Sequence, residues 1–414
     1  MAETRRVVIT GMGLVSPLGQ DVDAFWERLL AGESGIRRLH SFDLTGFDVL
    51  IGGECLDFDA KGHADVKALK RMDRFARFAL AAGCDAFRDS GLQRDTLDPW
   101  RFGVMVGSGI GGLKEIEEQH KRLIDKGPDK VSAFTIPKLM ANAGSGNLSI
   151  HLGARGPSTA VVTACASATN AMGDAYYTLT RGEADVMVTG GAEAALTPLG
   201  LSAFASMKAL STRNDEPHRA SRPFDRDRDG FVMGEGAGMF VFEEYEHAVR
   251  RGAKIHAEVL GFGTSADAGH LTQPDDEGRG AARAMSNALR SAGLRPEQIN
   301  YINAHGTGTP LGDVAETAAI KAVFGDHARR LLVSSTKSSI GHLLGASGGV
   351  ELIATVLAIK TGVVPPTINL EHPGEGCDLN YVPLKPQDAR VEYAMSNSFG
   401  FGGHNACIVV GKVR

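Results

Sequence analysis

Five cysteines stand in this 414-residue chain, and one of them sits where a thiol can work. Cys165 lies in STAVVTACASATNAMGDA (158–175), where the apolar run Ala160-Val161-Val162 gives way to small residues that open a helix. A thiol at such a strand-to-helix elbow feels the positive helix N-terminus, which favours thiolate and lowers the pKa. Taken alone, a cysteine in such a segment is more often a buried, inert side chain. Two histidines change that balance. His305 follows Tyr301-Ile302-Asn303-Ala304 and opens the turn Gly306-Thr307-Gly308-Thr309-Pro310; His342 lies in VSSTKSSIGHLLGASGG (333–349), five residues after Lys337. Side chains at strand ends among glycines face clefts rather than cores. A cysteine with two such histidines points to nucleophilic acyl chemistry, the imidazoles either activating the sulfur or polarising a carbonyl. The loop Phe399-Gly400-Phe401-Gly402-Gly403 reads either as a source of backbone N–H for an oxyanion or as an ordinary glycine hairpin.

Other motifs carry less. VMVGSGIGGLKEI (104–116) satisfies G-x-G-x-x-G, but a dinucleotide site needs a second strand ending in an acidic residue about 20 positions on. The loop-like KGPDKVSAFTIP follows instead, so nicotinamide is not expected. DRDRDGFVMGEG (225–236) begins as a calcium loop does, yet its twelfth position is Gly236 and the glutamate falls one place early, at Glu235. No HExxH or His/Cys cluster suggests zinc.

The elements that must position these groups alternate in type. Short β-branched runs end in glycine or another small residue at 6–13, 101–109, 159–167, 184–191, 299–308, 330–338 and 405–411. Helical patterns fall between many of them, at 73–90, 167–182, 279–292, 313–324 and 345–361. Such alternation predicts α/β layering around buried strands. No proline- or serine-rich linker divides the chain, and two strand–turn–helix sets, 1–260 and 261–414, are expected as halves of one unit. The 52 glycines are roughly twice the average usage of about 7%, clustered after apolar runs where backbone must pass close to a site. A net charge of −5 argues against nucleic acid as the main partner. An odd number of scattered cysteines, never in CxxC, fits a reducing cytoplasm rather than a disulfide framework. The opening Met-Ala-Glu-Thr-Arg-Arg lacks a signal peptide's apolar stretch, and no window of 18 uninterrupted apolar residues is found, so no membrane partner is expected.

Taken together, Cys165, His305, Lys337, His342 and Phe401 make the chain resemble the 3-oxoacyl-[acyl carrier protein] synthases, the condensing enzymes of fatty acid synthesis, and most of all their type II members. The ordered blocks that carry the resemblance run nearly end to end: RRVVITGMGLVSPLG (5–19), ALSTRND (209–215), SRPFDRDRDGFVMGEGAG (221–238), YINAHGTGTPLGD (301–313), SSTKSSIGHLLGASG (334–348), PPTINL (365–370) and NSFGFGG (397–403). It implies an α/β, thiolase-like fold with two pseudo-duplicated halves in α-β-α-β-α layers, and a homodimer. By resemblance Cys165 takes the acyl group from its carrier, and the N–H groups of Cys165 and Phe401 form the oxyanion hole, the Phe401 ring acting as a gate. His305 and His342 would hydrogen-bond the malonyl thioester as it becomes an enolate, with Lys337 and Glu351 organising the site from behind. No redox cofactor or catalytic metal is implied. Thiolases carry a second catalytic cysteine near the C-terminus, whereas Phe401 occupies the corresponding loop here.

The resemblance extends to further positions. Ile110 and Phe204 resemble residues that shape the acyl pocket. Asn303, Glu351, Ser396 and Asn397 resemble a structural monovalent-cation site, for which the plain alternative is a polar network without an ion. Lys67, Lys70 and Arg71 resemble a docking patch for acyl carrier protein, in a run that continues to Arg74 and Arg77 at largely helical spacing. A basic stripe on an acidic enzyme would steer an acidic carrier. Asp129, in Gly127-Pro128-Asp129-Lys130, departs from the basic character that the family often shows in that loop. A polyketide ketosynthase would use the same residues on a different chain.

Overall fold

Ten runs of the sequence form one mixed sheet in the computed structural model, which describes residues 5–413. Residues 1–4, the opening of the segment read for a signal peptide, lie outside the described residues. In chain order the strands are β1 (Val7–Val15), β2 (Phe102–Gly107), β3 (Ser158–Val161), β4 (Val186–Glu193), β5 (Gly236–Glu244), β6 (Ala257–Ala266), β7 (Tyr301–Asn303), β8 (Leu332–Ser334), β9 (Tyr393–Gly400) and β10 (His404–Gly411). Their order across the sheet is β8-β7-β9-β10-β6-β1-β5-β4-β2-β3.

That order repeats itself about the central β6–β1 pair. From each outer edge inward, the third, second, fourth, fifth and first strands of a half follow one another. In both halves the outer three strands are parallel and the inner pairings antiparallel. The halves join where β1 pairs β6 antiparallel, Val8 opposite Glu258. Strand β6 runs through residue 260, so a boundary placed there cuts a strand; the break between the halves is the connection before Ala257. The runs 236–244 and 257–266 become long strands that the periodicity at those positions does not announce.

Five helices layer the sheet. Helix α1 (Arg74–Asp89) lies on the first half, capped by the Asp73 carboxylate, which accepts from Phe75 N–H. It lies very close to β1: a Cβ at Gly11 would come 2.0 Å from the Ala86 carbonyl oxygen. Helices α2 (Ser167–Thr180) and α5 (Ser347–Thr361) touch each other and strands of both halves. Helices α3 (Arg279–Ala292) and α4 (Pro310–Phe324) pair on the outside of the second half. The result is the thiolase-like α-β-α-β-α layering. Among the described residues one segment, Leu344–Thr361, is long and apolar enough to cross a membrane, with mean hydropathy 1.3; it contains the central helix α5 and is 89% buried.

Candidate active site

The central helices α2 and α5 each start from a single tight turn, and those two turns carry or flank the chemistry. Before α2 the turn Ala164–Ala166 holds Cys165; before α5 the turn Leu344–Ala346 follows His342. Ala164 has φ 48° and Leu344 φ 49°, the left-handed region in which a side chain is strained. Strain of this kind costs about 1–3 kcal/mol and persists only where the surroundings enforce it. Here the surroundings are two packed sheet halves.

Cys165 is 7% exposed. Burial is the largest influence on its thiol; the Glu193 carboxylate acts in the same direction, while the Phe401 backbone N–H, the Lys337 charge and its own backbone N–H pull toward thiolate. Burial outweighs these pulls and pushes the thiol up to about 11, where the sequence alone leads one to expect a lowered value. The first residue of α2 lies two positions on, so the helix N-terminus adds a further pull toward thiolate. An acyl adduct on such a sulfur needs backbone N–H donors to hold its negative oxygen. The Phe399–Gly403 loop borders the same cavity as Cys165, through Phe399, Gly400, Phe401 and Gly403.

His305 follows the end of β7, and its backbone is tied down by Glu316 of α4, which accepts from His305 N–H at 2.9 Å and Gly306 N–H at 2.7 Å. His342 is 2% exposed, its Nδ1 lies 2.9 Å from Ser347 Oγ, and its ring stands edge-on to Phe231. The two imidazoles meet nearly perpendicular, centroids 5.2 Å apart at 87°. Burial, then the Lys337 ammonium, hold both well below the ordinary histidine value, so both are neutral at pH 7. Lys337, 1% exposed, donates to Glu351 and stands 3.4 Å from His305 Nδ1. An ammonium facing Nδ1 makes that nitrogen the acceptor and leaves the proton on Nε2. A neutral imidazole in this tautomer donates one N–H and bears no charge.

Cys165, His305 and His342 line one cavity of about 420 Å³ together with Phe204, Phe231 and Phe401. Phe204 and Phe401 have ring centroids 6.4 Å apart, which puts both expected aromatic residues on one wall. Ile110 is not among the lining residues; it lies in the turn after β2, 36% exposed. The four residues expected at a cation site, Asn303, Glu351, Ser396 and Asn397, are all buried. Asn303 and Asn397 donate through Nδ2 to the Glu351 carbonyl and the Glu316 carboxylate, respectively. Yet Asn303 Oδ1, Asn397 Oδ1, Glu351 Oε2 and Ser396 Oγ, all buried, have no hydrogen-bond partner. Four orphaned oxygens cost several kcal/mol unless something positive meets them. A hard monovalent cation fits that donor set.

The basic run on the surface divides. Lys67, Lys70 and Arg71 are exposed, whereas Arg74 turns inward to Glu235 and Arg77 to the carbonyls of Leu69 and Met72. The run is also not one helix: Val66–Leu69 is a short helix of its own before α1 begins at Arg74. Arg71 lies over the Phe134 ring at 4.7 Å. Sequence reasoning missed Glu316, Ser347 and Glu193. Ser347 and Glu316 meet the histidine segments from five to eleven residues away, whereas the partners of Glu193 lie 83 to 152 residues away.

Two family models match the chain: the β-ketoacyl synthase N-terminal domain over residues 4–248 and the β-ketoacyl synthase C-terminal domain over residues 256–371. Among curated relatives, the 3-oxoacyl-[acyl-carrier-protein] synthase 2 of a Synechocystis species is 52% identical over 412 residues, covering 100% of this chain and 99% of that one. The protein of the same description from Vibrio cholerae is 52% identical over 407 residues, 98% of each chain. Among solved structures, a β-ketoacyl synthase from Burkholderia phymatum superposes with TM-score 0.93 at 38% identity, covering 99% of this chain and 100% of that one. A type II polyketide acyl carrier protein in complex with its ketosynthase bound to a hexaketide gives the same TM-score at 34% identity, over 100% of both chains.

Proposed function

The chain belongs to the β-ketoacyl synthase family, and from that premise we propose how its residues divide the decarboxylative condensation of an acyl chain with malonyl-[acyl carrier protein] that it catalyses in fatty acid elongation. The Cys165 sulfur attacks the acyl thioester carbonyl; the carrier thiol leaves with the sulfur's proton, and the acyl group stays on Cys165. The N–H groups of Cys165 and Phe401 hold the oxyanion of that step and of the second attack. The malonyl thioester carbonyl then accepts hydrogen bonds from the Nε2–H of His305 and of His342. The bond to the carboxylate breaks, carbon dioxide leaves, and its electron pair becomes the enolate. The enolate carbon attacks the acyl-Cys165 carbonyl, expelling the cysteine sulfur as thiolate and giving 3-oxoacyl-carrier, and a proton from solvent restores the thiol. Lys337 and Glu351 fix the tautomer of His305 and touch no reacting atom.

The observation that carries this division is that Cys165, His305 and His342 line one cavity, with the two imidazoles 5.2 Å apart and both held well below the ordinary histidine value. A relative described as 3-oxoacyl-[acyl-carrier-protein] synthase 2 at 52% identity, against 34% for the polyketide ketosynthase, favours the fatty acid substrate. Lys67, Lys70 and Arg71 receive the carrier, and Phe204 walls the acyl group. A monovalent cation sits among Asn303, Glu351, Ser396 and Asn397 and offsets the burial of Glu351. The protein works in the cytoplasm, as its five free cysteines suggest. It is a homodimer joined along β3. Among the described residues that strand pairs only with β2, and it has exposed residues, with Val162 55% and Ile150 83% exposed nearby. The opposite edge, β8, is already covered by Asn380. The test is to incubate the protein with an acyl carrier thioester and map adducts by mass spectrometry. One acyl group on the peptide containing residue 165 supports the mechanism; an adduct elsewhere, or turnover by Cys165→Ala, removes it.

A further inference from the structure

Glu193, the last residue of β4, is fully buried and belongs to none of the groups assigned above. Its carboxylate accepts four hydrogen bonds: from Ser108 Oγ at 2.9 Å, Gly109 N–H at 2.6 Å, Ile110 N–H at 3.3 Å and Gly345 N–H at 3.1 Å. None of the four partners is a cation. Three belong to the turn after β2, and the fourth to the turn that follows His342. A buried carboxylate is expensive, and hydrogen bonds from neutral donors offset that only when the donors are held in place.

Both turns abut the nucleophile. A Cβ at Gly107 would come 2.3 Å from the carbonyl carbon of Ser167, the first residue of α2, and one at Gly109 would come 3.3 Å from the Ala164 carbonyl oxygen. A Cβ at Gly345 would come 2.3 Å from Gly109 N and 2.5 Å from the Glu193 carboxylate. The internal repeat sharpens the point. Gly345 holds in the second half the position that Cys165 holds in the first: second residue of a tight turn whose first residue has positive φ, just ahead of a central helix. The Gly345 N–H is thus the counterpart of the Cys165 N–H that serves the oxyanion. The Glu193 carboxylate fills that counterpart, with its oxygen 3.1 Å from Gly345 N.

We propose that Glu193 is a positioning residue that ties the nucleophile turn, through residues 108–110, to the turn carrying His342, and so fixes the distance between the acyl-cysteine and the enolate. Its own state agrees with that burden: burial lifts its carboxyl to about 7, while the donors from Gly109, Ser108, Gly345 and Ile110 pull it back. The inference rests on the division of roles proposed above and adds a residue to it.

The test is Glu193→Gln, which keeps size and removes charge. An amide has one acceptor oxygen and one donor nitrogen, so the nitrogen faces N–H or O–H donors and the bonds on that side are lost. A hydrogen bond to a charged group is worth about a factor of ten or more. Condensation kcat is therefore expected to fall about tenfold or more, with KM for malonyl carrier within about twofold and acylation of Cys165 within about threefold. An unchanged kcat overturns the proposal. So does an equal loss in both half-reactions with a lowered Tm, since that is what a merely structural residue gives. Ser108→Ala, which removes one donor and leaves the carboxylate, serves if the glutamine variant does not fold. It should lower kcat by about threefold while sparing acylation, and an unaltered kcat there overturns the proposal equally. Wild-type turnover separately tests the function itself; the ratio of variant to wild type tests Glu193.

Discussion

Removing the His305 imidazole should separate the two halves of the reaction. Lys337 faces Nδ1, so the one proton of this neutral ring sits on Nε2, in a cavity it shares with His342 and Cys165. In His305→Ala the Lys337 ammonium keeps Glu351 as partner, so the fold should hold. What is lost is one of two donors to the developing enolate. Loss of one preorganised donor costs a factor of about 100 to 1,000, or about 2.7–4 kcal/mol. Acylation should suffer far less, since its oxyanion is held by two backbone N–H groups that the substitution leaves alone. The assay follows carbon dioxide release from malonyl carrier in Cys165→Ala, with and without His305→Ala, alongside acylation of Cys165 by mass spectrometry. The pH profile adds a second check. Both histidines are held below their ordinary value, so the neutral, donating form persists as pH falls through 6.5 and is lost only further down. Carbon dioxide release should be flat from about pH 8 to about 6.5. A midpoint near 6.5, or loss of acylation with normal decarboxylation, would refute the assignment.

Reversing charge at Lys67, Lys70 and Arg71 should raise KM for carrier-bound substrate with kcat nearly unchanged, and raising salt should weaken the wild-type enzyme in the same way. Unaltered kinetics would leave the patch as solvated surface. Replacing potassium and sodium by tetramethylammonium at constant ionic strength should lower Tm by a few degrees, because the four orphaned oxygens then have no cation. Identical melting in all three salts would remove the ion. Ile110→Phe should cost long acyl carriers about tenfold or more while short ones still acylate Cys165, since each ~1.4 kcal/mol of overpacking is tenfold. No change at any length would mean that Ile110, outside the cavity of the single chain, borders no acyl path.

How much of this was legible in the sequence depended on how local each cause was. Cys165, His305 and His342 stand at strand ends before small residues, and that neighbourhood announced them. Helices α1 to α5 begin and end within three residues of the predicted spans. Strands β5 and β6 did not announce themselves. The first ends in Glu243 and Glu244, which are buried because Arg251 and His247 meet Glu243 and because the Glu244 carboxylate caps the turn that follows. The second is broken by Gly261 and Gly263, which α3 requires: a Cβ at Gly263 would come 2.2 Å from Ala288 N. The basic run misled for a related reason. Arg74 and Arg77 look like surface charge, but their partners lie across the fold or in the turn before α1. The thiol of Cys165 misled in the opposite direction, because helix position is local and burial is not.

The twofold sheet also constrains how the chain can reach this shape. The core around α2 and α5 draws on both halves, with Met172, Phe240 and Phe242 against Ile353, Ala406 and Ile408. Strand β10, which follows the other nine in chain order, lies between β9 and β6. During synthesis the nucleophile helix therefore emerges long before the strands that close over it. Each half has a cluster largely its own, but the one around α2 and α5 is shared, so its closure waits on contacts between residues far apart in the chain. Such non-local closure is slow, and it leaves apolar surface open meanwhile. Loss of the final eight-residue strand would not trim an edge; it would uncover the centre.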